Sequence, residues 1–341
     1  MNELILSFFK EGNKMKGTTL YHLLRGKRTT SVLVYGFFHQ VLPYFGAFPI
    51  LTESAFFQIL QNACKKGFLE ESDGDYQLTN EGQFALARQS VKFPEIDYFS
   101  YGKTGQTSWR LIKFAIQVVS YLSYQDKSYR PLENSPYYTN QLKKWLRSQE
   151  KATLALQLKE ELTFVFQKLP IHQANFLANQ FSGKEVAGAV EYQLLPEEWQ
   201  QSPDNQLYED NAIHGFLRRL EELPQSKLYL LVQESLLQNH NLSAQKTQQL
   251  FLQGANKEQV MAQRHLKRST VSDHLIEWAI RAEDFPFDWF IPREIEVFLR
   301  DVKSPVLTWQ YSELIKQIEL SYESFRLVQI KIHRERSGRC N

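Results

Sequence analysis

Cysteine is scarce in this sequence, with two residues in 341: Cys64 inside an apolar periodic stretch and Cys340 beside the last position. Neither has a second cysteine at the spacing of a metal-ligand pair or a redox motif, which excludes a disulfide framework and fits a reducing compartment. Long apolar runs are also missing. The stretch Thr29 to Thr52 carries no Asp, Glu, Lys or Arg, but His39, Gln40, Pro43 and Pro49, with Gly36 and Gly46, interrupt it. A spanning helix needs about 20 continuous apolar residues, so a core helix followed by a turn is expected, and no membrane partner. The opening residues Met1 to Lys16 are charged at Glu3, Lys10, Glu11, Lys14 and Lys16 and lack a small-residue cleavage site, so they do not read as a signal peptide. A cytoplasmic protein is expected. Charge of one sign is not in excess: 40 Lys and Arg stand against 38 Asp and Glu, a net of +2. Any basic surface must therefore be local.

Catalytic frames are absent as well. Gly102-Lys103-Thr104 resembles the end of a phosphate-binding loop, but that loop requires a glycine where Asp97 stands, and Phe99, Ser100 and Tyr101 fill the interval. Without glycines the backbone cannot wrap its N–H groups around phosphate oxygens, so a surface turn is expected and no nucleotide-driven motor. His172, His214, His240, His265 and His274 are scattered rather than paired on a helix face, and read as surface or capping residues. The glutamates at 197, 198, 221 and 222 lie in a polar stretch near Pro196, Pro203 and Pro224, where solvated charge explains them. No nucleophile, acid–base pair or metal set emerges. The expectation is a protein that is not an enzyme, with no catalytic residue, no metal and no cofactor.

What is present is core material. At 43% apolar and 13% aromatic the chain is neither disordered nor collagenous, and its length implies two or three domains. Ala55, Phe56, Ile59, Leu60 and Ala63 recur at helical spacing between Glu53 and Lys66, and Gly67 stops that helix. Phe68 and Leu69, the turn Ser72-Asp73-Gly74, then Tyr76 and Leu78 read as a hairpin, and Thr79 to Gly82 opens a further helix, Gln83 to Arg88. With helices over Thr18 to Arg25 and Thr30 to Val41, residues 1–92 resemble a winged-helix module. Its wing would carry Glu70, Glu71, Asp73 and Asp75, an unsuitable set for lying along phosphates. Residues 93–240 form a helical middle region without a repeat signature, with stripes such as Leu154, Leu158, Leu162, Val165, Phe166 and Leu169 ended by Pro170. Its tyrosines 121, 124, 129, 137 and 138 suit packing of interhelical loops better than base stacking. Glu185 to Glu234 holds ten acids against three bases, a local net of −7 that should repel DNA and could meet a basic protein.

From residue 241 the pattern sharpens. Ser243 can cap a helix that Gly254 stops; Asn256 can cap a second, Lys257 to Arg264; Ser269 can cap a third, in which Val271, Leu275 and Trp278 form one buried stripe. A tight turn at His265, Leu266 and Lys267, with Ala262 at the inner contact, completes the requirements of a helix-turn-helix. The chain is thus mainly α: an N-terminal winged-helix-like module with a small β-hairpin, a helical middle, a C-terminal helix-turn-helix bundle over 241–335 and a basic tail, 336–341.

The run Gly254-Ala255-Asn256-Lys257-Glu258 followed by Thr270-Val271-Ser272-Asp273-His274-Leu275 resembles the helix-turn-helix of response regulators. Trp289-Phe290-Ile291-Pro292, Ile295 to Leu299, Leu314 to Ile318 and the Ser321-Tyr322 opening of a closing helix through Val328 extend the likeness. They are similar to the helicase helix-turn-helix domain, which is appended to RecQ-type DNA helicases or encoded beside one. The segment after Gly26-Lys27-Arg28-Thr29-Thr30, with Tyr44-Phe45-Gly46, resembles the stand-alone YpbB-like members. This resemblance implies a non-enzymatic accessory protein of a RecQ-type DNA helicase, acting in DNA replication, recombination or repair, with sequence-independent DNA binding as a second expectation. A helix-turn-helix transcriptional regulator is the alternative.

On the third helix Thr270, Ser272, Asp273, His274 and Glu277 would point outward. Two acids without Arg or Lys make a weak major-groove reader. The cations lie at the edges, Arg264, Lys267 and Arg268 at the turn and Arg281 at the far end. Candidate nucleic-acid contacts are therefore Arg264, Lys267, Arg268, Ser269, Thr270, Ser272 and Arg281, joined by Lys27 and Arg28 from a +4 patch in residues 1–30. A second +4 patch runs from Arg326 through Lys331, Arg334 and Arg336 to Arg339. Such a layout suits grazing backbone contacts or a protein partner better than base readout, and it leaves self-association open.

Overall fold

Hydrophobic periodicity builds a mainly α chain, and the short alternating run around Tyr76 supplies its hairpin. The computed structural model describes residues 2–9, 14–87, 93–336 and 338; Lys10, Glu11, Arg88, Arg339 and Cys340 lie outside the described residues. The chain divides into two compact units, one of Phe8–Gly82 with His240–Asn341, the other of Met1–Ser7 with Gln83–Asn239. The two outer segments of the sequence thus share one unit, and the middle makes the other.

In the first unit, helices Gly17–Leu24, Thr30–Phe38 and Glu53–Lys65 precede a hairpin of β2 (Leu69–Ser72) and β3 (Asp75–Leu78). A strand that sequence periodicity missed, β1 (Met15–Lys16), pairs antiparallel with β3, giving the order β1-β3-β2. Two residues are too few to show alternation. Leu69 pairs with Leu78 and Ser72 with Asp75, and Asp73 and Gly74 both adopt positive φ, 55° and 80°, the twist that a two-residue hairpin turn requires. Three helices before a hairpin, with a third strand closing the sheet, form the winged-helix-like module. The charge-free segment forms the Thr30–Phe38 helix and the short turn at Leu42–Tyr44, as expected. Thr29 caps that helix by accepting from the Val32 N–H, and Val32, Leu33, Val34 and Phe38 are buried.

The C-terminal half of the same unit begins with three helices, Leu242–Leu252, Lys257–Arg264 and Arg268–Arg281. Next come a single turn at Phe287–Trp289, the Arg293–Arg300 helix and a closing helix, Tyr322–Arg336. Ser321 heads the closing helix, its hydroxyl accepting from the Ser324 N–H at 3.0 Å.

The middle unit is built on the Gly105–Ser123 helix, which buries Trp109, Ile112, Ala115 and Val119 against helices Lys151–Gln167, Asp204–Glu221 and Lys227–Leu236. Trp109 finds a partner for its indole N–H in the Gln180 side-chain oxygen at 2.8 Å. The acidic stretch is exposed at Glu185, Glu197 and Glu198, as its composition suggested, and elsewhere paired. Asp210 accepts from the Tyr98 hydroxyl at 2.7 Å, Glu221 accepts from that of Tyr101 at 2.6 Å, and Glu191, Glu222 and Glu234 pair with Lys113, Lys168 and Lys144. Burial, followed by neighbouring carboxylates, pushes Glu209 up to about 7. Gly102-Lys103-Thr104 is a turn with Gly102 and Lys103 exposed, as expected, and Thr104 buried: the side-chain oxygen of Asn239 accepts from the N–H groups of Lys103 and Thr104 at 2.9 and 3.2 Å. Nor are the histidines all at the surface: His214 is buried and accepts from the Asp97 N–H at 3.0 Å, and His274 is buried too. Tyr121 stacks on Tyr129 with centroids 4.6 Å apart, the packing role expected of these tyrosines.

Candidate nucleic-acid interface

The helix-turn-helix is shaped by local capping, and the caps differ in part from those expected. Asn241, not Ser243, heads its first helix, its side-chain oxygen accepting from the N–H groups of Ser243 and Ala244 at 3.1 and 3.2 Å. Gly254 takes φ +88°, a conformation that L side chains rarely adopt, and so breaks the chain cleanly before the second helix. Asn256 caps that helix in a reciprocal capping box with Gln259, as its position predicts. His265 turns the chain in the left-handed region at φ 52°. Lys267, not Ser269, then occupies the cap position of the third helix, and no side chain caps it. At the helix crossing Val260 is the fully buried contact, whereas Ala262 is exposed.

Val271, Leu275 and Trp278 are buried as the stripe predicts. The opposite flank of the helix is buried too, which the stripe alone did not reveal. His274 is 6% exposed and shares a hydrogen bond of 2.9 Å with the Thr247 hydroxyl of the first helix. Burial, and then the charge of Arg264, hold its imidazole below the usual range. Glu277, 6% exposed, receives the Arg28 guanidinium of the winged-helix-like module and the Asn241 side-chain amide at 3.1 Å. Burial alone would raise this carboxyl. The hydrogen bond and charge of Arg28, with Asn241 and Arg281, outweigh it and hold Glu277 below the ordinary value. One turn earlier the Thr30 hydroxyl donates to Asp273 at 2.5 Å. His274 and Glu277 therefore do not point to solvent. The helix that would read a groove packs instead against the Thr30–Phe38 and Tyr322–Arg336 helices.

This arrangement sorts the candidate residues. Arg264 turns inward, donating to the Ser243 carbonyl and the Thr247 hydroxyl at 2.5 Å each and to the Ser243 hydroxyl at 3.0 Å. Arg28 is committed to Glu277, and Arg281 lies half-buried with its Nε 3.7 Å from the same carboxylate. Thr270 and Ser272 are half-buried, and the Ser272 hydroxyl donates to the Arg268 carbonyl at 3.0 Å. Lys267, Arg268 and Ser269, at the turn and the start of the third helix, are exposed, as is Lys27. The loop that carries Lys27 is brought to the third helix by the Arg28–Glu277 and Thr30–Asp273 pairs, residues more than 240 positions apart in sequence. Lys331 and Arg334 of the C-terminal patch are likewise engaged, Lys331 with Asp288 and Glu296, and Arg334 with the Ala282 carbonyl at 2.6 Å. A short basic edge remains, flanked by Asp273. It can hold phosphate oxygens but offers no row of side chains to base edges.

At 3.6 residues per turn, Leu275-Ile276 and Trp278-Ala279-Ile280 spread apolar side chains over more than half the circumference of the helix's C-terminal half, and that was the legible sign that it would be covered on more than one side.

These features define a helix-turn-helix protein, and residues 243–329 match the model of a family described as a helix-turn-helix domain. Along its length the chain is similar to Protein YpbB of Bacillus subtilis (strain 168), 21% identical over 335 residues that cover 93% of this chain and 92% of that one. No solved structure matches. Among the described residues, no helix is long and apolar enough to cross a membrane.

Proposed function

We propose that this chain is a non-enzymatic DNA-associated protein that holds duplex DNA by its phosphates, and that it serves as an accessory to a RecQ-type DNA helicase in replication, recombination or repair. The observation that carries the DNA part is the burial of His274 and Glu277 beside the exposure of Lys267, Arg268 and Ser269. A reading helix must present its side chains to the major groove, and here that face is occupied by the protein itself. What remains is a cationic edge at a helix start, suited to backbone oxygens and therefore indifferent to sequence. The same burial counts against the transcriptional-regulator reading. The helicase part rests on the resemblance of the Ser321-Tyr322 closing helix and of the segment after Gly26.

Fluorescence anisotropy on two unrelated duplexes tests the DNA part. Equal affinity that falls steeply with salt is expected; a single strongly preferred sequence would restore the regulator reading. Affinity capture with the purified RecQ-type helicase of the same organism tests the partnership. Retention of the helicase after nuclease treatment is the expected result, and its absence would remove that half of the proposal.

A further inference from the structure

The most exposed large apolar side chain among the described residues is Ile50, at 90%, beside exposed Pro49 on the turn before the Glu53–Lys65 helix. The turn is not loose. The N–H of Leu51 donates to Phe48 at 3.1 Å, that of Phe48 to Leu24 at 2.9 Å and that of Gly46 to Leu23 at 2.9 Å. Phe45, Ala47, Phe48 and Leu51 are buried around it, and Thr52 caps the following helix. Ile50 is thus held out into solvent by neighbours on both sides that face inward.

Cations stand beside it. The exposed Arg25 donates from Nη1 to the Leu51 carbonyl at 3.3 Å, and Gly26 and Gly46 pass so closely that a Cβ built on Gly46 would lie 3.5 Å from the Gly26 Cα. Exposed Lys27 follows. The Arg25–Thr30 loop is therefore tied at one end to the Pro49–Ile50 turn and at the other, through Arg28 and Thr30, to the third helix of the helix-turn-helix. The acid nearest the turn in sequence is Glu53, three residues after Ile50.

We propose that Pro49 and Ile50 form a wedge that enters a base step of bound duplex DNA while Arg25 and Lys27 grip the flanking phosphates. This inference rests on the phosphate-binding reading above. A rigid apolar tip beside cations is suited to unstacking a step: the cations anchor the backbone, and the side chain replaces the lost base contact. Such a wedge needs no base hydrogen bonds, which agrees with a covered reading helix.

The test uses the full chain and a set of short duplexes carrying 2-aminopurine at successive positions, with binding followed independently by anisotropy. Wild type should raise the fluorescence of some positions about twofold or more as the base unstacks. Ile50→Ser should abolish that rise and weaken binding by about threefold, whereas Ile171→Ser, which removes another exposed isoleucine in the middle unit, should keep it. Since Ile50 is so exposed, its variant should fold with an unchanged melting temperature. Binding without any fluorescence rise, or a rise that survives Ile50→Ser, overturns the wedge and leaves phosphate binding intact. No binding by anisotropy would overturn both.

Discussion

Replacing Arg28 by alanine should loosen the helix-turn-helix although the substitution lies in the other half of the sequence. Glu277 has a side chain only 7% exposed and Arg28 one of 23%, so the pair is largely withdrawn from water. Removing one partner of a buried pair costs about 3–5 kcal/mol, because the remaining charge stays buried. Here Arg281 at 3.7 Å and the Asn241 amide at 3.1 Å remain, so the cost falls below that range, to about 2–3 kcal/mol. Amide hydrogen exchange of the Arg268–Arg281 helix reads this directly: 2 kcal/mol corresponds to about a thirtyfold loss of protection. Adding Glu277→Gln to Arg28→Ala should recover more than half of the loss, since a neutral amide is cheaper to bury than an unpaired carboxylate. The sign of the pH dependence is fixed. Glu277 is held below its ordinary value in the wild type, so the pair's contribution is present above the unfolded pKa, about 4.3, and is lost as pH falls through the lower folded value. The deficit of Arg28→Ala should therefore shrink toward pH 4. A protection loss under about threefold, or no rescue by glutamine, would refute the reasoning that this contact fastens the third helix.

Two further outcomes follow from the same geometry. Arg264→Ala should lower stability by about 1.5–3 kcal/mol, visible as a reduced melting temperature, because it removes hydrogen bonds from a charged group and leaves the buried Thr247 hydroxyl short of a partner. An unchanged melting temperature with weakened DNA binding would instead make Arg264 an interface residue. Acid should destabilise the protein through its buried histidines: burial, and then the charge of Arg218, hold His214 down to about 3, and burial, and then His333, hold His39 at about 4, while Glu209, raised to about 7, acts in the opposite sense and offsets only one of the two. With both lowered, the unfolded chain binds more protons between its own pKa near 6.5 and the folded values, so stability falls as pH drops through about 6.5 to 4. A melting temperature flat across that window would contradict the burial of these rings.

How far the sequence led can be argued from particular residues. Where information is local, it was legible: the Asn256 cap, Gly254, Gly67 and the Asp73-Gly74 turn each act through their own backbone or within three residues, and each stands where the sequence put it. The stripe Val271, Leu275, Trp278 also held, because one buried face is encoded by spacing. The second buried face is not encoded that way. Glu277 looks solvent-seeking until Arg28 arrives from a loop 249 positions away, and Arg264 looks like an edge cation until Ser243 and Thr247 are brought beneath it. Charge counting was incomplete for the same reason in the middle unit, where Asp210, Glu221 and Glu191 engage Tyr98, Tyr101 and Lys113 while Glu185, Glu197 and Glu198 stay exposed. Of the cations singled out on the helix-turn-helix, Lys267 and Arg268 remain exposed, and pairing rather than composition decided that.

Phosphate binding by the exposed start of the third helix is the proposal on which the other readings rest. It is tested most directly by the salt dependence of duplex binding in wild type and in Lys267→Ala/Arg268→Ala. Equal affinities for unrelated sequences are expected, with a log–log salt slope smaller by about 2 in the double variant, since each lost phosphate contact removes about 0.9. An unchanged slope, or wild-type binding that prefers one sequence by about a hundredfold or more, would contradict it.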